Sequence, residues 1–299
     1  MVVLHPPSTR PAIIVFVKKI IAPVIALALS GCGGVLDPRG PIGASEKLIL
    51  IDSMTVMLTI VVPVILATLA FAWWFRASNT RATYRPNWDF SGALEIIIWA
   101  IPALVITFLG GIAWFGSQSL DPFRPLDSPV RPVEVEAVSL DWKWLFIYPD
   151  EGIATVNQLV VPAGTPLHFK ITSASVWNAF FVPQLGSMIY SMAGMTTQLN
   201  LQADKPGTFP GLSAQFSGDK FSDMHFDVRA VEGDAYQQWV AGVKNSGGEL
   251  DVAAYARLAQ TADSAPPATY KSVDPTLFAA IVAGTAPESA GAPPITNAP

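Results

Sequence analysis

The residues whose types and spacing would do chemistry gather in one stretch. Residues 212–228, L-S-A-Q-F-S-G-D-K-F-S-D-M-H-F-D-V, form a turn between two late strands with the outline of a metal-binding loop in an extracytoplasmic β-sandwich. Most of the residues that would hold a metal are missing from it. Met224 and His225 carry the donor atoms a transition metal prefers, but neighbours on a strand point to opposite faces, which argues against a shared site. Met188, Met192 and Met195 with Met224 would suit a cuprous ion; flexible thioethers also serve as plain core or interface filler. His168 alternates with Leu167 and Phe169 and fits a solvated or hydrogen-bonded histidine. With one cysteine in the chain, Cys32, there is no internal disulfide and no cysteine-rich zinc, iron-sulfur or dinuclear copper site.

The elements that position this loop begin in lipid. The chain has 299 residues, 51% of them hydrophobic and only 14% charged, and its mean hydropathy of +0.40 is membrane-like. A net charge of −5 without a basic run excludes nucleic acid, whose phosphates need clustered Lys and Arg. Residues 1–31 have the form of an export signal: Lys18 and Lys19, then an apolar core too short to span a bilayer, then small residues ending in L-S-G-C. That tetrapeptide resembles the lipobox of bacterial lipoproteins, which would make Cys32 the lipidated first residue; the alternative is a chance small-residue cluster before an ordinary cleavage site. A lipid-capped thiol is lost to metal binding. Residues 32–47 are expected to be a Gly- and Pro-rich linker.

Two spans, at about residues 53–75 and 95–116 within 48–117 and uncharged over 53–75 and 96–116, are each long enough to cross a bilayer as a helix, and Pro63 is expected to kink the first. Trp73 and Trp74 stand where an aromatic belt belongs. The connecting loop carries Arg76, Arg81 and Arg85 against Asp89, whereas the outer flanks hold Asp52, Asp121 and Asp127. By the positive-inside rule the loop is cytoplasmic and everything after the second span is outside, in agreement with export.

From residue 130 the pattern changes to strands and turns. V-E-V-E-A-V-S-L at 133–140 alternates strictly, W-K-W-L-F-I-Y at 142–148 continues it, and further β-rich runs lie at 156–161, 167–172, 197–202 and 222–231. Turn signals such as P-D-E-G, P-A-G-T and D-K-P-G-T separate them, a rhythm that predicts an all-β Greek-key sandwich over 130–245. A helix should follow at 232–244, with Asp234 early and Lys244 late to suit its dipole. Two amphipathic pieces, 251–262 and 274–283, form a short helical C-terminal extension over 246–283; too small for a core, they must dock on another surface. The Ala- and Pro-rich residues 284–299 are expected to be disordered.

This order, an export signal with a lipobox, a two-helix transmembrane hairpin and an external Greek-key sandwich, resembles subunit II of the haem-copper respiratory oxidases, whose outer domain is cupredoxin-like. Glu95, Trp99 and Pro102 in E-I-I-I-W-A-I-P are similar to the family's pattern in the second span, W-K-W at 142–144 to its aromatic strand, and 175–186 with 213–224 to the two loops of its dinuclear copper site. The resemblance covers residues 29 to about 245 and weakens in the tail. In the copper-bearing branch, which takes electrons from cytochrome c, the site holds two cysteines, two histidines, a glutamate carbonyl and a methionine. The resemblance aligns these with Asn178 and Phe221 for the histidines, Ser213 and Ser217 for the cysteines, Gln215 for the carbonyl donor, and Met224, which alone keeps its identity. A serine hydroxyl does not ionise as a thiol does and phenylalanine cannot coordinate, so the copper pair cannot form. The pattern, with the lipobox, is similar to the bo-type (cytochrome o) ubiquinol oxidases of the same superfamily.

That resemblance implies a chain without a redox centre or metal of its own, with no catalytic residue. It would support subunit I and the other subunits of a proton-pumping quinol oxidase, where haems and a copper centre reduce oxygen to water. The donor would be ubiquinol, favoured over menaquinol and reached through subunit I, with no cytochrome c. Trp99, Pro102, Trp142 and Trp144 would pack on subunit I. Glu95 matches a glutamate near the mouth of a proton pathway, and equally fits a snorkelling interfacial carboxylate. Trp142 and Trp144, two apart on one strand, are expected on one face. The chain would lie in the bacterial inner membrane with its C-terminal domain in the periplasm, in contact with membrane lipid. The competing reading is a free-standing, membrane-anchored cupredoxin-like copper carrier; the two spans weigh against it, because a lipid alone anchors a carrier.

Overall fold

The computed structural model describes residues 34–83, 85–260 and 265–286; the expected export signal, Cys32 and the tail beyond 286 lie outside them. Helix α1 runs Pro41–Trp74 and α2 runs Gly92–Ser119. At about 1.5 Å per residue both exceed the ~30 Å hydrocarbon core. Each is therefore longer than its uncharged run, and the linker expected to reach residue 47 ends at 40. Pro41 explains the early start: it takes the first helical turn, where its fixed φ suits the helix and no N–H is missed. Gly116 lets the helices approach, since a Cβ there would fall 2.8 Å from Ile49 Cδ1. Otherwise the hairpin buries almost nothing of itself: α2 has no buried residue and α1 only Gly43.

The overhanging start of α1 docks on the outer domain. Gly43 N–H donates to Leu185 O at 3.1 Å, Arg39 N–H to Gln184 O at 2.7 Å and Asp204 N–H to Arg39 O at 2.8 Å. Ser187 Oγ donates to the Glu46 carboxylate. Residues 37–46 thus form a strap that fixes the hairpin to the sandwich.

The sandwich strands are β1 Val133–Leu140, β2 Lys143–Tyr148, β3 Ile153–Val156, β4 Gln158–Pro162, β5 Pro166–Ser173, β6 Asn178–Val182, β7 Gly186–Ser191, β8 Thr197–Gln202, β9 Gly207–Ser213 and β10 His225–Val231. Helix α3 (Gly233–Ser246) follows, with Asp234 in its first turn and Lys244 in its last. Then come β11 Gly248–Leu250, helix α4 Val252–Ala259, β12 Ala268–Val273 and helix α5 Leu277–Val282. One sheet has the order β11-β12-β3-β2-β1-β5-β8 and the other β4-β10-β9-β6-β7. The parallel pairs β1/β5 and β4/β10 arise from long Greek-key returns. β6, β7 and β9 lack a distinct alternating run, and the sequence pattern did not single them out.

The C-terminal extension is as much strand as helix. β12 pairs antiparallel with β3, and β11 pairs parallel with β12, so the extension widens the first sheet, while α4 and α5 cover its outer face. The surface on which the amphipathic pieces dock is the sandwich itself. This accounts for the unbroken apolar run in β2, all six residues of which are buried. Trp144, Phe146 and Tyr148 face the core between the sheets; Leu145 and Ile147 face Tyr255, Leu277 and Phe278 on the other side. Lys143 is buried on that side too, its Nζ donating to Leu258 O at 2.9 Å and Gln260 O at 3.1 Å, the carbonyls at the end of α4. Burial lowers its pKa from the ordinary lysine value.

Two expectations about tryptophan are corrected. Trp142 lies in the β1–β2 turn with φ +67°, so it does not share a strand face with Trp144. Trp144 has 0% of its surface exposed and packs edge-on to Phe180 (centroids 5.4 Å) and Phe226 (5.8 Å). A side chain with no exposed surface cannot contact another subunit, so Trp144 is a core residue.

Candidate functional site

The second sheet carries Asn178, Ser213 and Met224 to one end of the sandwich. Asn178 opens β6, Ser213 closes β9, and Met224 immediately precedes β10; pairing of β6 with β9 sets Phe180 opposite Ser213. Ser213 Oγ donates to Asn178 Oδ1 at 2.5 Å, and both residues are buried. Ser213 N–H donates to Met224 O at 3.1 Å, and Ala214 N–H to Ala179 O at 3.0 Å, closing the base of the 214–223 loop onto the sheet. A short 3-10 turn, Phe221–Asp223, returns the chain to β10.

Above this base two phenylalanines stand among mostly polar residues of the loop. Phe221 packs on exposed Phe216 with ring centroids 5.7 Å apart. Gln215 is half-buried. The hydroxyl of Ser217 is buried with no hydrogen-bond partner among the described residues. Gly218 has φ +127°, and a Cβ there would fall 2.5 Å from Trp142 Cη2, so the indole of Trp142 lies directly against the loop backbone. The contact between Trp142 and this loop was not anticipated; the glycine after Ser217 was its only trace in sequence.

These donors do not fit a dinuclear copper centre. Asn178 and Ser213 satisfy each other by a neutral hydrogen bond, Phe221 has no lone pair, and neither serine supplies a thiolate. Met224 offers a soft sulfur, yet it is 1% exposed and belongs to the core between the sheets. His225 next to it is exposed. His168 is engaged elsewhere, its Nδ1 2.9 Å from Asn200 Oδ1, and among the described residues no three His, Cys, Asp or Glu side chains cluster for a metal. Met188 and Met195 are exposed, far in environment from buried Met224.

In the hairpin, Glu95 lies in the first turn of α2, where the helix dipole favours a carboxylate. Trp99 Nε1 donates to Glu95 Oε2 at 3.3 Å. Glu95, Trp99 and Pro102 are spaced four and three apart, which stacks them on one helix face, and all three are exposed.

Comparison with known proteins matches residues 151–231 to the periplasmic domain of cytochrome c oxidase subunit II, and 244–284 to the COX aromatic-rich motif. The second match coincides with the strand-and-helix extension. Over 258 residues the chain is 50% identical to cytochrome bo(3) ubiquinol oxidase subunit 2 of Pseudomonas aeruginosa, covering 86% of this chain and 78% of that one. It is 51% identical over 261 residues to ubiquinol oxidase subunit 2 of Acetobacter aceti, covering 86% and 85%. The corresponding Pseudomonas putida subunit is 48% identical over 257 residues, covering 86% and 82%. The chain belongs to the ubiquinol oxidase subunit 2 family. Its architecture of two apolar helices and a cupredoxin-like sandwich is that of a haem-copper oxidase subunit II, and it fits an inner-membrane protein with a periplasmic domain.

Proposed function

We propose that this member of the subunit 2 family is a non-catalytic subunit of a proton-pumping ubiquinol oxidase and passes no electrons through its own outer domain. The observation that carries the reading is the buried Ser213–Asn178 hydrogen bond, which turns the base of the former metal loop into ordinary satisfied core. The relatives' names supply ubiquinol as donor. Haems and a copper centre would reside in subunit I, where quinol oxidation and oxygen reduction take place, and no cytochrome c would dock here. The hairpin would bind subunit I through the exposed face of Trp99 and Pro102, and Trp142 would be available at the loop. Glu95, held by Trp99, would collect protons near the cytoplasmic edge of that interface. Lipidation of Cys32 would add a second attachment to the membrane close to the strap at residues 37–46.

The copper-carrier reading needs its methionines together, and burial of Met224 with exposure of Met188 and Met195 opposes it. The test is to purify whatever assembles with a tagged form of this chain. Ubiquinol-dependent oxygen consumption with a haem spectrum is the expected result. A chain that purifies alone, with copper bound and no oxidase activity, would overturn the proposal.

A further inference from the structure

At the end of the hairpin remote from the sandwich, the loop joining α1 to α2 lines an open cleft of about 870 Å³ whose lining includes Trp74, Phe75, Arg76, Arg81, Arg85 and Trp88. In a chain of net charge −5 this loop holds three arginines against Asp89 alone. Arg76 is already committed: it donates to Trp73 O at 2.7 Å and to Ser78 Oγ at 3.1 Å, and its guanidinium lies 4.9 Å from the centroid of the Trp73 ring. It caps the carbonyl end of α1 and is oriented by an aromatic face. Asn79 holds the next turn, donating to Trp74 O at 2.5 Å while accepting from Arg81 N–H at 3.1 Å. Arg81 and Arg85 have no carboxylate within ion-pair distance among the described residues. Two guanidinium forks therefore line a concave site without a carboxylate partner among the described residues.

The depth of the site identifies its guest. Trp73 and Trp74 at the end of α1 and Trp88 in the loop are exposed, as indoles are where hydrocarbon meets headgroups, and exposed Phe71, Leu69 and Leu66 lead back from there along the apolar span. A ligand here meets fixed positive charge on the water side and apolar helix surface on the lipid side. We propose that this cleft binds the phosphate headgroup of an anionic membrane phospholipid, with its acyl chains along α1 and α2. Arg81 and Arg85 ligate the phosphate oxygens, for which the planar fork is well shaped, and Arg76 holds the loop in place.

The full-length chain, with everything that assembles on it, is purified in mild detergent and returned to phosphatidylcholine bilayers containing a small fraction of phosphatidylglycerol. Phosphatidylglycerol retained per copy of the chain is then counted by native mass spectrometry. Wild type should enrich it over phosphatidylcholine. Arg81→Gln with Arg85→Gln should lower that enrichment about twenty- to thirty-fold, the effect of two charges near a membrane surface. Arg81→Lys with Arg85→Lys should keep most of it, and added inorganic phosphate should not displace it. Equal retention by wild type and the glutamine variant would overturn the proposal. So would displacement by phosphate alone, which would make the guest a free anion. Loss of partner subunits from the glutamine variant with lipid retention intact would overturn it as well, by making the cleft a protein contact.

Discussion

In the sandwich Trp144, Leu145 and Phe146 keep 0% of their surface, whereas in the hairpin Trp99, Leu104 and Phe115 keep 73%, 71% and 74%. Both regions are rich in apolar side chains, but among the described residues only one finds partners for most of them. The sandwich covers both faces of its central strands with its own second sheet and C-terminal extension, so its stability is its own. The hairpin touches itself at Ile49 and Gly116 and the sandwich through the strap, and leaves most of its apolar surface exposed. Each large side chain so left has about 1.5–3 kcal/mol at stake in burial. The outer domain thus buries its apolar side chains within the fold, and the hairpin leaves most of its own exposed.

Substitutions on the two sides should separate cleanly. The largest effect belongs to Trp144→Ala, which should cost the outer domain about 3–5 kcal/mol in denaturant unfolding by opening the aromatic core. Trp99→Ala should leave that transition unmoved and instead reduce the yield of assembled complex. If Trp99→Ala destabilises the outer domain as Trp144→Ala does, the division between the regions fails.

Next comes Gly218→Ala, where a positive φ and the indole of Trp142 both oppose a methyl group. A loss of about 1–3 kcal/mol with altered Trp142 fluorescence is expected, the scale of a strained backbone position. Unchanged stability and fluorescence would mean that the loop does not rest on Trp142.

The pair at the base of the loop gives a double-mutant cycle. Ser213→Ala alone leaves the buried Asn178 amide without its donor and should cost about 1–3 kcal/mol, while Asn178→Leu with Ser213→Ala should recover much of that, because no polar atom is then stranded. Additive losses would show that the hydrogen bond is not what holds the two strands there.

The smallest effect concerns Glu136, on the β1 face paired with β5. Burial raises its carboxyl pKa above the ordinary 4.5, partly offset by Lys170, with nearby Glu134 pushing it further up. A raised folded-state value means the native state binds this proton more tightly. That contribution is present below pH 4.5 and fades as pH rises through the folded value. Glu136→Gln should therefore raise the unfolding midpoint slightly at pH 7, within about 0.5 kcal/mol, and flatten its fall above pH 4.5. A midpoint lowered at pH 7 would reverse the sign and identify the charge as stabilising.

Sequence alone revealed what periodicity and length encode. The alternation of β1, the two long apolar runs and the helix at 233–246 were legible because each is a strong local pattern. Strands β6, β7 and β9 were hidden because their residues are chosen by cross-strand neighbours and by the loop they support rather than by alternation. The strap at 37–46 looked like a linker because its Gly and Pro signal turns locally; what orders it is hydrogen bonding to residues 184–204, far along the chain. At the candidate site, the residue types were readable and their chemistry excluded thiolate and imidazole ligation. That Asn178 and Ser213 meet, and that Trp142 lies on Gly218, are long-range facts carried by no single run of sequence.

The central claim, that the outer domain is not an electron relay, is tested most directly by copper analysis after incubating the purified protein with copper and removing the excess. The wild-type chain should retain none on its outer domain. A variant combining Asn178→His, Ser213→Cys, Gln215→Glu, Ser217→Cys and Phe221→His should acquire it. Stoichiometric copper on the wild-type outer domain would contradict the account.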